Sequence, residues 1–329
     1  MAIMGHYCSI EHVRALCRNA LQNVGASEIV AEVLARATCQ AEVRGKRAVG
    51  ISHLFDYLDS IRDGRLDPTA KPEISRVTDA IVVADARSGA AQVAFEMAYD
   101  EYAGAVRHSG IGMLNVVSSF TAGELGFYTR RLAGDGFLVI AGANSPALMT
   151  FGGSTGPTIG TNPLAFACPV DGRSVLAIDQ ASSQTAYVNV RSAAAQNASL
   201  PSGWAVDEFG IETDDPTAAL RGALLPFGGY KGANIALLVE LLAVMAGSNW
   251  SVDAPRFDRG SRSPGVGMFV ISIDLASVGA ELPDRIARHF ERLGAEYGAD
   301  LSAFDGKSDA VVDVVVDDVT YRRLANEAS

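Results

Sequence analysis

Fourteen consecutive residues, Ala233 to Ala246, contain neither glycine nor proline and carry one charge, Glu240. Apart from Asn234 the rest are apolar. A segment apolar on nearly every side predicts a helix buried on most faces. At roughly 21 Å it is too short to cross a bilayer. The chain must therefore build a core thick enough to surround it. With 329 residues, 48% of them hydrophobic and 20% charged, it has material for one large domain or two ordinary ones. Ahead of the helix lies the turn Gly228-Gly229-Tyr230-Lys231-Gly232. Its glycines let backbone approach a ligand closely. The helix start offers unpaired N–H groups to an anion, and Lys231 adds a positive charge. The plainer reading is a loop feeding a core helix with Lys231 solvated. On chemistry alone the two stand level.

A net charge of −11, with only 27 Lys and Arg spread along the chain, argues against nucleic acid as a partner. No run of 18 apolar residues exists, and the N-terminal MAIMGHYCSIEHV lacks a basic-then-apolar leader. A cytoplasmic protein with no membrane contact is expected. Cys8, Cys17, Cys39 and Cys168 show no CxxC spacing and read as reduced packing residues. None of the five histidines lies at ligand spacing from another, so no metal site is expected.

Two helices are predicted within residues 9–42, starting at Ser9 and Ser27. A third covers Ser52 to Ile61 and puts His53 and Tyr57 on one face. Residues 74–84 read as a strand, Ala90 to Val106 as a helix, and Ile111 to Val117 as a strand leaving through a polar loop, 118–123. A helix near 125–133 and a strand at 137–141 continue the alternation, which indicates an α/β domain. Residues 143–163 form a long Gly/Ser/Thr/Pro connection, a length usually reserved for function. It feeds two strands expected to pair, 163–167 and 174–179. A turn-rich excursion at 207–216, a strand at 267–274, an amphipathic helix at 281–297 and a strand-like run at 310–316 complete the chain. There is no G-x-G-x-x-G after a strand, no Walker motif, no HExxH and no G-x-S-x-G elbow.

Five stretches carry a resemblance: RGKRAVGISHL near residue 50, GIGMLNVVSS near 112, GTNPLAFACP at 160–169, IDQASS at 178–183 with LPSGWAVDEFGIETDDPTAAL at 200–220, and LLPFGGYKG at 224–232. In this order and spacing the chain resembles the malate/L-lactate dehydrogenase family of the second, non-Rossmann type. That family includes ureidoglycolate and sulfolactate dehydrogenases and Δ1-piperideine-2-carboxylate reductases. The resemblance implies an α/β protein with a non-Rossmann, mixed-sheet nucleotide-binding domain, residues 73–280, that includes the core helix. A helical domain built from both termini, 1–72 plus about 281–329, completes it. It also implies a homodimer acting on a small-molecule substrate with NADPH or NADH. The cofactor is expected on Ser118, Ser119, Thr161, Asn162, Pro163, Asp179, Ala181, Ser182, Ser183, Tyr230, Lys231 and Gly232. For Asp179 the competing role is capping a nearby turn.

The chain departs from that family at its chemistry. The family carries Ser-His-Gly-Val-x-Arg after the Arg-Gly pair, the histidine donating a proton and the arginine holding a carboxylate. Here Ala48 and Val49 stand for the serine and histidine, and His53 stands for the arginine. A second family histidine aligns with Thr121, and a Gly-Lys pair is replaced by Val188-Asn189. The candidate catalytic residues are therefore His53, Tyr57 and Thr121, with His53 either a weak donor, a polar anchor or a satisfied helix histidine. Ketone reduction builds charge on oxygen and needs a proton donor, whereas a cyclic imine can arrive protonated. The pattern fits an NAD(P)H-dependent reductase of a C=N bond or another atypical small substrate. The alternative is a non-redox enzyme or nucleotide-binding protein that has lost dehydrogenase activity.

Overall fold

The computed structural model describes residues 5–170, 174–299 and 313–329. Strand β1 (Gly5–Ser9) runs into α1 (Ile10–Asn23), where the Ser9 hydroxyl accepts the His12 N–H at 3.2 Å. Ser27 does the same for Val30 at the start of α2 (Glu28–Val43). Both predicted helix starts are thus real N-caps. A short 3₁₀ turn, Arg47–Val49, leads to α3 (Ile51–Arg62). Its N-cap, Gly50, has no side chain to offer, and the Ile51 N–H is taken instead by Glu42 Oε1 at 2.7 Å. A Cβ on Gly50 would collide with that carboxylate, so the glycine is what lets α2 start α3. Helix α3 buries Ile51, Leu54, Tyr57, Leu58 and Ile61, the i, i+3, i+4 pattern of a core-facing stripe. His53 and Asp56 lie one turn apart beside that stripe.

The strand expected over 74–84 is instead a hairpin, β2 (Glu73–Thr78) and β3 (Ile81–Asp85), because Asp79-Ala80 forms a turn. Then follow α4 (Ala91–Ser109), β4 (Ile111–Ser119), α5 (Gly126–Gly134), β5 (Phe137–Ala143), β6 (Leu164–Val170) and β7 (Ser174–Gln180). The remaining elements are α6 (Tyr187–Gln196), β8 (Ala205–Val206), α7 (Pro216–Arg221), β9 (Ala223–Leu224), α8 (Tyr230–Val244), β10 (Val266–Asp274), α9 (Leu275–Val278), α10 (Leu282–Tyr297), β11 (Asp313–Asp317) and α11 (Asp318–Glu327). Of the strand-like run 310–316, the part before Asp313 lies outside the described residues; the rest is in β11.

Seven strands form one sheet in the order β2-β3-β4-β10-β5-β6-β7. Only β3 and β4, joined through α4, run parallel; the other neighbours are antiparallel. The sheet is mixed and not doubly wound, as the family resemblance implied. Strand β10 is inserted between β4 and β5 from far along the chain, and its side chains alternate. Met268 and Val270 join the large core with α4 and α5, while Phe269 packs with Val239 and Ala243 of α8. Helices therefore cover both faces. Over α4 and α5 lies α2 with α1 and α3, and β1 pairs antiparallel with β11, so both termini share the helical layer. Among the described residues no helix is long and apolar enough to cross a membrane.

The core helix corrects one expectation. Its Ala236, Val239, Ala243 and Val244 are buried, yet Leu237, Leu238, Leu241 and Met245 are exposed. Helix α8 lies on the outer side of the sheet with no described element above it, so the all-round apolar sequence is covered on one side only.

Glu240 anchors the inner side of α8. Buried to 4% exposure, it accepts the Asn162 amide at 2.7 Å and both the N–H and the hydroxyl of Ser251 at 2.6 Å. Glu240→Ala leaves those donors without it in a dry site, which costs about 3 kcal/mol. A thermal midpoint lower by several degrees is expected, read by calorimetry; an unchanged midpoint would show that water replaces the carboxylate.

Candidate active site

A cavity of about 420 Å³ opens where α3 meets the loop after β4, the β5–β6 connection and the segment from β7 into α6. Its chemistry starts from α3. His53 Nδ1 lies 3.0 Å from Asp56 Oδ2, and its Nε2 lies 3.1 Å from Thr121 Oγ1. A carboxylate only accepts, so Nδ1 carries the proton toward Asp56. In the neutral ring Nε2 then accepts from the Thr121 hydroxyl; in the charged ring it donates to it. Thr121 Oγ1 is also 3.3 Å from the Tyr57 hydroxyl, which receives a hydrogen bond from Gln92 Nε2 at 2.9 Å. Tyr57 packs edge-on against the imidazole at 4.5 Å between ring centres. The result is one continuous chain, Asp56–His53–Thr121–Tyr57–Gln92.

Its electrostatics are polarised. Burial pushes the Asp56 carboxyl up, but the hydrogen bond and charge of His53, with Arg191, overcome it and hold the group below the usual carboxylate range. Arg191 reaches Asp56 with two contacts of 3.3 Å. Burial pushes Tyr57 up to about 12 against the opposing hydrogen bonds of Thr121 and Gln92. Tyr57 thus keeps its proton and Asp56 its charge across neutral pH. Lys46, also on the wall, is tied elsewhere: its Nζ donates to the Asp179 carbonyl at 2.9 Å and pairs with the Asp179 carboxylate at 3.1 Å, near Glu124.

Of the residues expected at the site, the wall holds His53, Thr121, Thr161, Pro163, Asp179, Ala181 and Ser183, with Tyr57 directly behind His53. Asp179 does double duty, since its Oδ2 accepts the Gly126 N–H at 3.0 Å and caps α5. The others lie off the wall. Ser119 donates its hydroxyl to the Val266 carbonyl, and the neighbouring Ser118 carbonyl accepts Ser88 N–H. Buried Asn162 bonds Ala236 and Glu240, and Ser182 donates to the Asn162 carbonyl at 2.8 Å. The side chains of Ser119, Asn162 and Ser182 are thus bonded within the fold. Tyr230 and Lys231 stand exposed at the start of α8, and Gly232 packs against the Phe227 backbone, where a Cβ would clash. Their turn is nonetheless stitched to the wall: Phe227 N–H donates to Ser182 O at 3.0 Å, and Gln184 N–H to Leu225 O at 2.8 Å.

Three groups of the cavity went unread in the sequence. Asp56 was not singled out, although its i, i+3 spacing from His53 was a usable signal. Arg191 sits in a stretch to which no helix was assigned, and only α6 carries it to the cavity. Lys46 stood only inside the motif near residue 50 and was given no role. The two departures at 48 and 49 do face the cavity: Ala48 and Val49 both line it. Among the described residues no group of three or more His, Cys, Asp or Glu could hold a metal ion.

Comparison with known proteins fits this picture. The profile of the malate/L-lactate dehydrogenase family matches residues 8–303. A (2R)-3-sulfolactate dehydrogenase (NADP(+)) of Chromohalobacter salexigens is 34% identical over 88% of this chain and 86% of its own. A Δ1-pyrroline-2-carboxylate/Δ1-piperideine-2-carboxylate reductase of Pseudomonas putida is 34% identical over 80% of this chain and 78% of its own. The crystal structure of Δ1-piperideine-2-carboxylate reductase from Pseudomonas syringae superposes with a TM-score of 0.89 at 29% identity, covering 98% of this chain and 99% of that one. Fold, family profile and relatives agree: the chain belongs to the malate/L-lactate dehydrogenase family and is an NAD(P)-dependent oxidoreductase.

Proposed function

We propose that this cavity reduces the C=N bond of a small cyclic imine with NADPH or NADH. The observation that carries the reading is Val49 on the cavity wall, where the family's proton-donating histidine stands, with His53 the one imidazole left there and both its nitrogens already bonded. A protonated imine needs no donor at the moment of reduction. Its carbon accepts a hydride, the π pair of C=N passes to nitrogen, and a neutral secondary amine and the oxidised nucleotide leave. A ketone taking the same hydride becomes an alkoxide, and the missing donor is then worth about 10²–10⁴ in rate. The relatives named as pyrroline- and piperideine-carboxylate reductases support this choice of substrate.

The residues present fit a pyridine dinucleotide. Thr161, Pro163, Ala181 and Ser183 give the wall small side chains and hydroxyls beside space for a flat ring. The adjoining Gly228-Gly229 turn sits at positive φ, leaves the N-terminus of α8 without a side-chain cap and sets exposed Lys231 beside it, a place for phosphate groups. When bound, the reduced nicotinamide supplies the hydride. The test is a panel of malate, lactate, pyruvate and cyclic imines with both cofactors. Imine reduction about 10²-fold above 2-oxo acids is expected. Turnover of malate at ordinary rates with none on imines overturns the reading.

The same proposal includes a cytoplasmic homodimer formed through α8. Leu238 and Leu241 are 53% and 51% exposed, and Leu237 and Met245 extend the stripe. A contiguous apolar helix face of this kind marks an interface, and a second copy, in the homodimer that the family resemblance implies, would cover it. Light scattering is expected to give a dimer, and Leu238→Glu with Leu241→Glu a monomer. A wild-type monomer at micromolar concentration refutes it.

A further inference from the structure

We infer that Arg191 is the carboxylate anchor of this cavity, performing the task of the arginine that His53 replaces, and that Asp56 is the positioning residue that aims it. The inference rests on the imine-reductase reading and names the end of the substrate that the site reads: an acid group on the carbon next to C=N.

His53 cannot hold a substrate carboxylate as the lost arginine would, because Asp56 and Thr121 occupy its two nitrogens at 3.0 and 3.1 Å. Two permanent cations line the cavity, Lys46 and Arg191. The Lys46 ammonium has three donors, and the Asp179 carbonyl, the Asp179 carboxylate and nearby Glu124 surround it with oxygen. Arg191 has five N–H donors in a planar fork. Two reach Asp56 at 3.3 Å, well beyond the roughly 2.7–2.9 Å of a tight charge-assisted bond. Its side chain is 33% exposed, against 16% for Asp56, so it is the accessible half of the pair.

Placement supports the same role. Arg191 lies one turn inside α6, and the first residues of that helix, Tyr187 and Val188, line the cavity with it. The N-cap of α6, Ala186, also lines the cavity and provides no side-chain hydrogen bond. An entering carboxylate meets the accessible donors of the guanidinium beside the first residues of α6. Asp56 keeps the guanidinium beside His53 by bonding both. An acid group held by Arg191 therefore sets the neighbouring C=N close to the His53–Thr121 pair.

The test compares Δ1-pyrroline-2-carboxylate with Δ1-pyrroline, the same ring without the acid, in wild type, Arg191→Gln and Arg191→Lys. Wild type is expected to prefer the acid in kcat/KM by about 10²-fold, a charge-assisted bidentate contact. Arg191→Gln is expected to collapse that preference toward unity, chiefly through KM for the acid. Arg191→Lys, a point charge without the fork, recovers part of it. A glutamine variant that keeps its thermal midpoint and its quenching of NADPH fluorescence, yet retains the full preference, overturns the inference. If glutamine does not fold, a lysine variant with undiminished preference overturns it equally. Should wild type reduce neither ring, the imine reading fails by itself. Arg191 is then judged by binding of pyrrole-2-carboxylate, a flat analogue: tight binding by wild type lost in Arg191→Gln upholds the anchor, and equal binding by both removes it.

Discussion

Val49→His is expected to raise turnover of a 2-oxo acid by about 10²-fold or more relative to turnover of a cyclic imine. Position 49 closes the short 3₁₀ turn before α3, and its side chain lines the cavity beside Ala48 and His53. The backbone there is fixed by Gly50, pressed against Glu42, and by the bond from Ile51 N–H to Glu42 at 2.7 Å. A new side chain at 49 therefore enters a preformed site without moving His53. Hydride transfer to a carbonyl leaves charge on oxygen, and an imidazole within reach quenches it; hydride transfer to an iminium leaves none. The substitution thus separates two substrates that differ in what the reduced atom becomes. The measurement is the ratio of kcat/KM for pyruvate and for a cyclic imine in both proteins. A folded, nucleotide-binding Val49→His protein with the wild-type ratio would show that something other than the absent donor limits ketones.

Much of the scaffold could be read from local pattern. Ser9 and Ser27 announced their helices because an N-cap is a one-turn interaction, written within four residues. Strands β6 and β7 were legible because their alternation and the short link between them force a pair. What local pattern could not reveal was anything decided across the chain. Strand β10 sits between β4 and β5 although more than 120 residues separate it from β5 in sequence, and no motif encodes that insertion. The exposed stripe of α8 was hidden by its own composition, since an all-apolar helix looks the same whether neighbours or solvent lie beyond it. At the site the same division holds. Thr121 and His53 were found because a motif frames them. Arg191 was not, because an isolated arginine among alanines reads as solvated until α6 is placed against α3.

Cutting the hydroxyl between His53 and Tyr57 tests the remaining part of the mechanism. Thr121→Val keeps the volume of the side chain but removes the one atom that both His53 Nε2, at 3.1 Å, and the Tyr57 hydroxyl, at 3.3 Å, can bond. A cyclic imine needs a proton on nitrogen before hydride arrives. At low pH it carries that proton in from solution. At higher pH it must receive it in the site before hydride arrives, and the Thr121 hydroxyl, with the His53–Asp56 pair behind it, is placed to relay one in that earlier step; the ring, held at both nitrogens, is not placed to donate to an alkoxide as it forms. Tyr57, pushed up to about 12 by burial, keeps its own proton and serves as a fixed hydrogen-bond partner. Asp56, held below the usual carboxylate range, stays charged and keeps its bond to the His53 ring at 3.0 Å. The loss in kcat on Thr121→Val is therefore expected to be small near pH 6 and to grow to about 10²-fold by pH 9, with KM for the imine changed far less. Thr121→Ser, which restores the oxygen, is expected to recover most of the rate at high pH. A loss of equal size at every pH, or a serine variant as impaired as valine, would mean that Thr121 only packs the loop after β4, and that protons reach the imine by water alone.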